Sequence, residues 1–239
     1  MPLHATTLAL AALLGAAAPA AEVHPTAREV AALRAATGLA LSPDGERFAW
    51  TVRDAAFDPA ARPPEAFDPR KPGEADQKAG WKVTTQLWMA PAAGGPARQL
   101  TFGPEAVSEP AFSPDGATVG FLRKAEGKAR LHLLSLAGGE ARPLDTGALE
   151  PRAFAFSPDG RRVAFTAEAP PSAEEKRSAW ESGGAIRWGS QWRPARLWVV
   201  DAAGGEPRAV TGPEVHVAAF RWSPDGRRFA AVLAASSDP

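Results

Sequence analysis

Four aspartates, Asp44, Asp115, Asp159 and Asp225, each stand inside a copy of the string Ser-Pro-Asp-Gly. A carboxylate repeated this regularly invites a metal-site reading. One carboxylate per copy, with tens of residues between copies, does not assemble the roughly six to eight oxygens that calcium takes. Each aspartate reads instead as the shaper of its own turn. His132 and His216 read as strand residues, because no second and third ligand stands at usable spacing. Cys is absent, so there is no thiol nucleophile, thiolate metal site or disulfide. No metal or cofactor is implied. Trp180, Arg187, Trp188, Trp192 and Arg193 form a different kind of group. Aromatic and Arg residues on one loop are the composition of an interface core. They suit contact with a peptide or another domain; the plainer alternative is a loop anchored on its own domain by its Trp residues. Phe57, Phe67 and Trp81, among prolines, raise the same question and lean to the plainer reading. Trp88 and Trp198 read as packing residues.

The elements that carry these residues follow from the repeat. The Ser-Pro-Asp-Gly copies begin at Ser42, Ser113, Ser157 and Ser223. Pro presets φ for a type I turn, Asp bonds nearby backbone, and Gly takes a positive φ. A large apolar residue precedes each copy (Leu41, Phe112, Phe156, Trp222) and another follows three residues past its Gly (Phe48, Val119, Val163, Phe229). Alternation around the turns, as in Phe48, Trp50 and Val52 against Ala49 and Thr51, predicts hairpins of short strands. A third strand starts at Leu87-Trp88, Leu131-His132 and Leu197-Trp198. Gly-Gly turns follow at Gly94, Gly138 and Gly204, each leading to a short fourth strand. Each Gly-Gly pair stands 19 residues before the next Ser-Pro-Asp-Gly. Turn to turn, the steps are 71, 44 and 66 residues. The shortest matches the ~40–45 residues of a four-stranded propeller blade. The longer steps carry insertions at about 54–81 and 168–193, both between the second and third strands. Both insertions should leave the same face, opposite the Ser-Pro-Asp-Gly turns. The expected fold is all-β, a partial propeller of about three and a half four-stranded antiparallel blades over 37–239, starting near 37, 106, 151 and 216.

Lys plus Arg and Asp plus Glu both number 27. This balance argues against a nucleic-acid partner, which would call for a basic stripe. Residues 1–21 read as a secretory signal, with an Ala/Leu-rich run and small residues at Ala18 and Ala20. The run is too short to span a bilayer, so no membrane span is expected after cleavage. A periplasmic or secreted location follows. Residues 22–36 read as a short helix, with Thr26 as N-cap and Glu29 three residues on. It should lead into the first strand near Gly38. The fourth repeat carries only two strands. An uncovered blade face of roughly 300 Å² forfeits on the order of 8 kcal/mol of burial. The expectation is therefore that the chain is the N-terminal part of a longer protein. Phe229, Ala231 and Leu233 are expected on the face that a complete ring would bury.

The pattern "(F/W)SPDG…(V/F)AF" with "LW…GG…LT" resembles the TolB-like propeller repeat. Two further stretches, "PTAREVAALRAATGLALSPDGERFAW" and "SPDGRRVAFTAEAPPSAEEKRSAW", resemble the N-terminal propeller of prolyl-oligopeptidase-family serine peptidases, of the acylaminoacyl-peptidase and dipeptidyl-aminopeptidase type. The resemblance covers residues 24–239. It implies a propeller that gates access of short peptides to a C-terminal α/β-hydrolase domain, its partner in the full-length parent. The alternative it implies is a non-catalytic TolB-like propeller that binds an envelope protein. The family's nucleophile sits on a Gly-x-Ser-x-Gly elbow. No such string occurs among these residues, so no catalytic residue is carried over. This polypeptide by itself should hydrolyse no aminoacyl-nitroanilide. Turnover by pure protein, blocked by a serine-directed reagent, would reveal a nucleophile that the sequence does not announce.

Overall fold

Each Ser-Pro-Asp-Gly turn joins two antiparallel strands, as its Pro and Gly require. The computed structural model describes residues 34–57, 81–171, 173–181 and 193–234. The first blade is β1 (Ala35–Leu41), β2 (Arg47–Phe57), β3 (Trp81–Pro91) and β4 (Arg98–Gln99). The second is β5 (Ala106–Phe112), β6 (Thr118–Ala125), β7 (Lys128–Ser135) and β8 (Arg142–Pro143). The third is β9 (Ala153–Phe156), β10 (Arg162–Glu168), β11 (Ala195–Asp201) and β12 (Arg208–Ala209), with helix α1 (Ala173–Glu181) between β10 and β11. Strands β13 (His216–Trp222) and β14 (Phe229–Ala234) form a two-stranded sheet. Within each blade the strands pair in sequence order and antiparallel, as a partial propeller demands. The fourth strands are two residues long, and a Thr extends two of them. The Thr101 and Thr211 hydroxyls accept from the Leu87 and Leu197 amides at 2.9 and 3.1 Å.

The core lies between blades, and the second strand of each blade sets it. Successive side chains of a strand point to opposite faces. Val119 and Phe121 pack back onto Ala49 and Leu87 of the first blade. Val163 and Phe165 pack back onto Leu122, Leu131 and Leu133 of the second. Phe229, with Val217 and Phe220, packs back onto Ala164 and Leu197 of the third. The alternate positions begin with a small residue, Ala49, Gly120 or Ala164, and receive the next blade. At the start of each second strand, large side chains thus face backward and a small one faces forward, with Leu122 further along β6 meeting the third blade. A Cβ on Gly120 would stand 2.8 Å from the Phe154 ring of the third blade, closer than carbon atoms approach.

Two expectations need correction. The helix read over 22–36 does not reach its C-terminal end, because β1 begins at Ala35. Ala35, Ala36 and Thr37 pair with Arg53, Val52 and Thr51 of β2. That ladder satisfies backbone groups which a lone helix turn would leave to water. Residues 22–33, like the signal region 1–21, lie outside the described residues. The second correction concerns β14. Phe229 faces the third blade and is half-buried there, while Ala231 and Leu233 remain exposed. The forward face of β14 belongs to the alternate positions, where Val232 is 62% exposed.

Truncating Phe165, which has no exposed surface, should cost about 3–5 kcal/mol. Gly120→Ala adds one methyl group at a filled site and should cost about 1–3 kcal/mol. Urea unfolding of the two variants checks both values. A Gly120→Ala protein as stable as the parent would contradict the forward-face rule.

Candidate functional site

The four aspartates build their turns in one pattern. Ser113, Ser157 and Ser223 donate their hydroxyls to Asp115, Asp159 and Asp225 at 2.5, 2.6 and 2.5 Å, and Ser42 does the same to Asp44. The same carboxylate oxygen accepts the amide two residues on, at 3.0–3.1 Å. The Ser hydroxyl accepts the amide five residues on, at 2.8–3.0 Å. The Gly amide closes each turn on the Ser carbonyl at 2.8–2.9 Å. In all four copies the Ser hydroxyl, then the backbone amide, holds the Asp carboxyl below its ordinary 3.8. One oxygen of each carboxylate is spent on its own turn. Among the described residues, no group of three His, Asp or Glu side chains could hold a metal ion.

Adjacent turns also touch. The Pro rings of Pro43, Pro114 and Pro158 lie against Gly116, Gly160 and Gly226 of the following turn. Arg47 donates across the first junction to the Gly116 carbonyl at 3.1 Å, and Arg162 donates across the third to the Gly226 carbonyl at 2.8 Å. Sequence reasoning missed both arginines. The signal available was their shared position, two residues past the turn Gly.

The two histidines sit in strands. His132 stacks on Phe121 at 5.7 Å, and its Nδ1 lies 3.2 Å from the Arg130 carbonyl. Burial pushes its pKa down, which favours the neutral ring. His216 Nδ1 accepts the Ala195 amide at 3.1 Å, tying β13 to the third blade. The first insertion leaves β2 and β3 where Phe57 opposes Trp81 in the ladder. Phe67 lies outside the described residues.

The opposite face carries the interface candidates. Trp180 stands in the last turn of α1 and is 82% exposed. Arg193 pairs with Glu175 of that helix at 3.5 Å. Arg187, Trp188 and Trp192 lie outside the described residues. Below the start of this connection is a cavity of about 540 Å³, lined among others by Lys124, Glu150, Arg152, Glu168, Pro170 and Arg193. Arg152 and Glu168 form an ion pair on its wall. The cavity therefore presents both signs of charge next to prolines, a setting that suits a short zwitterionic chain better than a uniformly charged one. Its charged residues come from two blades and a loop, so their neighbourhood was not visible as a sequence motif.

No family model and no curated protein matches the sequence. Solved structures do match. An acylaminoacyl peptidase in complex with Z-Gly-Gly-Phe-chloromethyl ketone is similar with TM-score 0.54 and 14% identity, over 83% of this chain and 28% of that one. An oligogalacturonate lyase in complex with manganese is similar with TM-score 0.52 and 17% identity, over 80% of this chain and 45% of that one. A TolB-type protein from Agrobacterium tumefaciens gives TM-score 0.49 and 17% identity, over 84% of this chain and 58% of that one. The chain thus spans less than two thirds of each. What the first two share with it is the β-propeller fold. A peptidase and a lyase on one architecture show that this fold does not choose a reaction.

The Ser157 hydroxyl is fully buried and serves both Asp159 and the Arg162 amide. Ser157→Ala should cost about 1–3 kcal/mol at neutral pH. The sign with pH follows from the lowered Asp pKa. Its contribution is present above 3.8 and is lost as pH falls through the folded value. The stability gap between parent and variant should therefore narrow in acid below pH 3.8. Urea unfolding across that range reads it; a gap that widens in acid refutes the assignment.

Proposed function

We propose that this chain is the propeller segment of a secreted or periplasmic serine peptidase, gating the access of short peptides to an α/β-hydrolase catalytic domain. The observation that carries the proposal is the cavity beside the third blade's long connection, with both signs of charge at hand. Its Lys124 suits a peptide carboxylate and its Glu150 suits a peptide ammonium, beside the Arg152–Glu168 pair, which would have to exchange partners to take part. An acylaminoacyl peptidase carries the same fold, so the fold admits this reading. The location rests on the signal-like residues 1–21. Among the described residues no helix is long and apolar enough to cross a membrane.

The test uses the native host. Antibodies raised against this chain should recover a polypeptide that a fluorophosphonate probe labels and that cleaves aminoacyl-nitroanilides. Arg152→Glu in the native gene should raise KM for short peptides and leave the probe reaction unchanged. Recovery of an unlabelled chain bound to an envelope protein would replace the peptidase reading with a binding module.

A further inference from the structure

The three junctions between neighbouring Ser-Pro-Asp-Gly turns are built alike except in one place. Two residues past the turn Gly stand Arg47, Thr118 and Arg162 in the first three copies. Arg47 crosses to the next blade, donates to the Gly116 carbonyl, and sets its guanidinium 5.9 Å from the Phe112 ring centre. Arg162 does the same at the third junction. It donates to the Gly226 carbonyl and lies 5.0 Å from the Trp222 ring centre. Each guanidinium thus occupies a slot floored by an aromatic ring and closed by a glycine carbonyl. Gly116 and Gly226 are buried beneath these arginines.

The middle junction keeps the slot and lacks the arginine. Phe156 and Gly160 stand where the other junctions have Phe112 with Gly116 and Trp222 with Gly226. Thr118 is too short to reach them, and Gly160 is only half-buried. The space is a cavity of about 280 Å³ whose lining includes Asp115, Thr118, Glu140, Phe156, Asp159 and Gly160. Arg142 and Arg161 also border it. Arg142 donates to the Ala202 carbonyl at 2.6 Å on the wall of the same cavity. Glu140, the second carboxylate oxygens of Asp115 and Asp159, an aromatic face and a glycine carbonyl therefore border, together with the two arginines, a volume that fits one guanidinium.

We propose that this cavity is a binding site for a guanidinium group brought by a ligand. The group would take the place that Arg47 and Arg162 fill from within the chain. Its planar fork suits the Gly160 carbonyl and a carboxylate together, and its face suits Phe156. The source is free arginine or an arginine side chain of a peptide, and the chemistry is common to both. The site lies on the turn face, away from the cavity of the proposed peptidase function, and does not depend on that function.

Calorimetric titration of the full chain with N-acetyl-arginine amide tests it. The citrulline analogue, equal in shape and uncharged, should bind on the order of tenfold more weakly or not at all. Thr118→Arg supplies the missing guanidinium, so it should abolish binding and raise the Tm. Glu140→Arg reverses one wall charge without entering the core, and should weaken binding about fivefold or more. It decides the matter if the Thr118→Arg protein fails to fold. Free arginine binding as tightly as the blocked form marks an amino-acid site; a peptide with an internal Arg binding more tightly marks a side-chain site. Equal binding of the arginine and citrulline probes, or full binding by both variants, overturns the proposal.

Discussion

Packing between the second strands of neighbouring blades is the interaction on which the rest depends. A β-sheet has two faces, and in this architecture each inner blade must bury both. The chain meets that demand with one rule of alternation. Phe121 and Phe165 point back to the preceding blade and are fully buried, while Ala49, Gly120 and Ala164 leave room for the following one. The rule fixes register as well as burial. A slip of one residue would aim Phe165 forward and Ala164 backward, and neither interface would fill.

The turn face adds a second, polar seam to that apolar one. The Ser-Asp pair makes each turn rigid without help from its neighbours, because all its bonds run within six residues. Rigid turns can then meet each other at fixed points: a Pro ring on a Gly, and a guanidinium on a carbonyl. The seam contributes little through charge alone, since its ion pairs are solvent-exposed. Its effect is geometric. Pro158 and Arg162 both meet Gly226, and a Cβ there would touch them at 3.4 and 3.8 Å, ordinary contact distances. Glycine is required at that place for its φ of 66°.

What the sequence disclosed divides along the same line. The turns, the hairpins and the blade count are legible because Ser-Pro-Asp-Gly and Gly-Gly act over a few residues. The outward connections are legible because insertions lengthen an otherwise regular step. Errors arise where distant residues decide. Ala35 and Ala36 look helical beside Thr26, yet pairing with Val52 and Arg53 draws them into a strand. Phe229, at the outer end of the repeat, looks like a residue awaiting cover, yet its partners are Ala164 and Leu197 some tens of residues earlier. The bridging roles of Arg47 and Arg162 were hidden for the same reason. Each acts on a carbonyl more than sixty residues away. The charged cavity beside the third blade gathers Lys124, Glu150 and Arg193 from separate stretches, and no short motif could announce it.

A repeat architecture also makes its exceptions informative. Within one chain, each copy is a control for the others, with the same backbone and nearly the same neighbours. A residue that differs between copies while its surroundings stay constant leaves a defined vacancy, not a general looseness. Thr118 is such a case. The aromatic ring, the glycine carbonyl and the turn carboxylates persist around it, because the turns and the packing of Phe156 on the second blade hold them there. The turn itself needs only Ser113 and Asp115, and the hydrophobic seam needs only Val119 and Phe121. A threonine hydroxyl in place of a guanidinium gives up a cross-blade hydrogen bond and an aromatic contact, a loss in stability on the order of 1–3 kcal/mol. Arg142, reaching the Ala202 carbonyl across the same junction, offsets part of that loss from the outer edge of the blade. The second and third blades are thus held together around the slot and not through it, so the slot stays open without loosening the core beneath it.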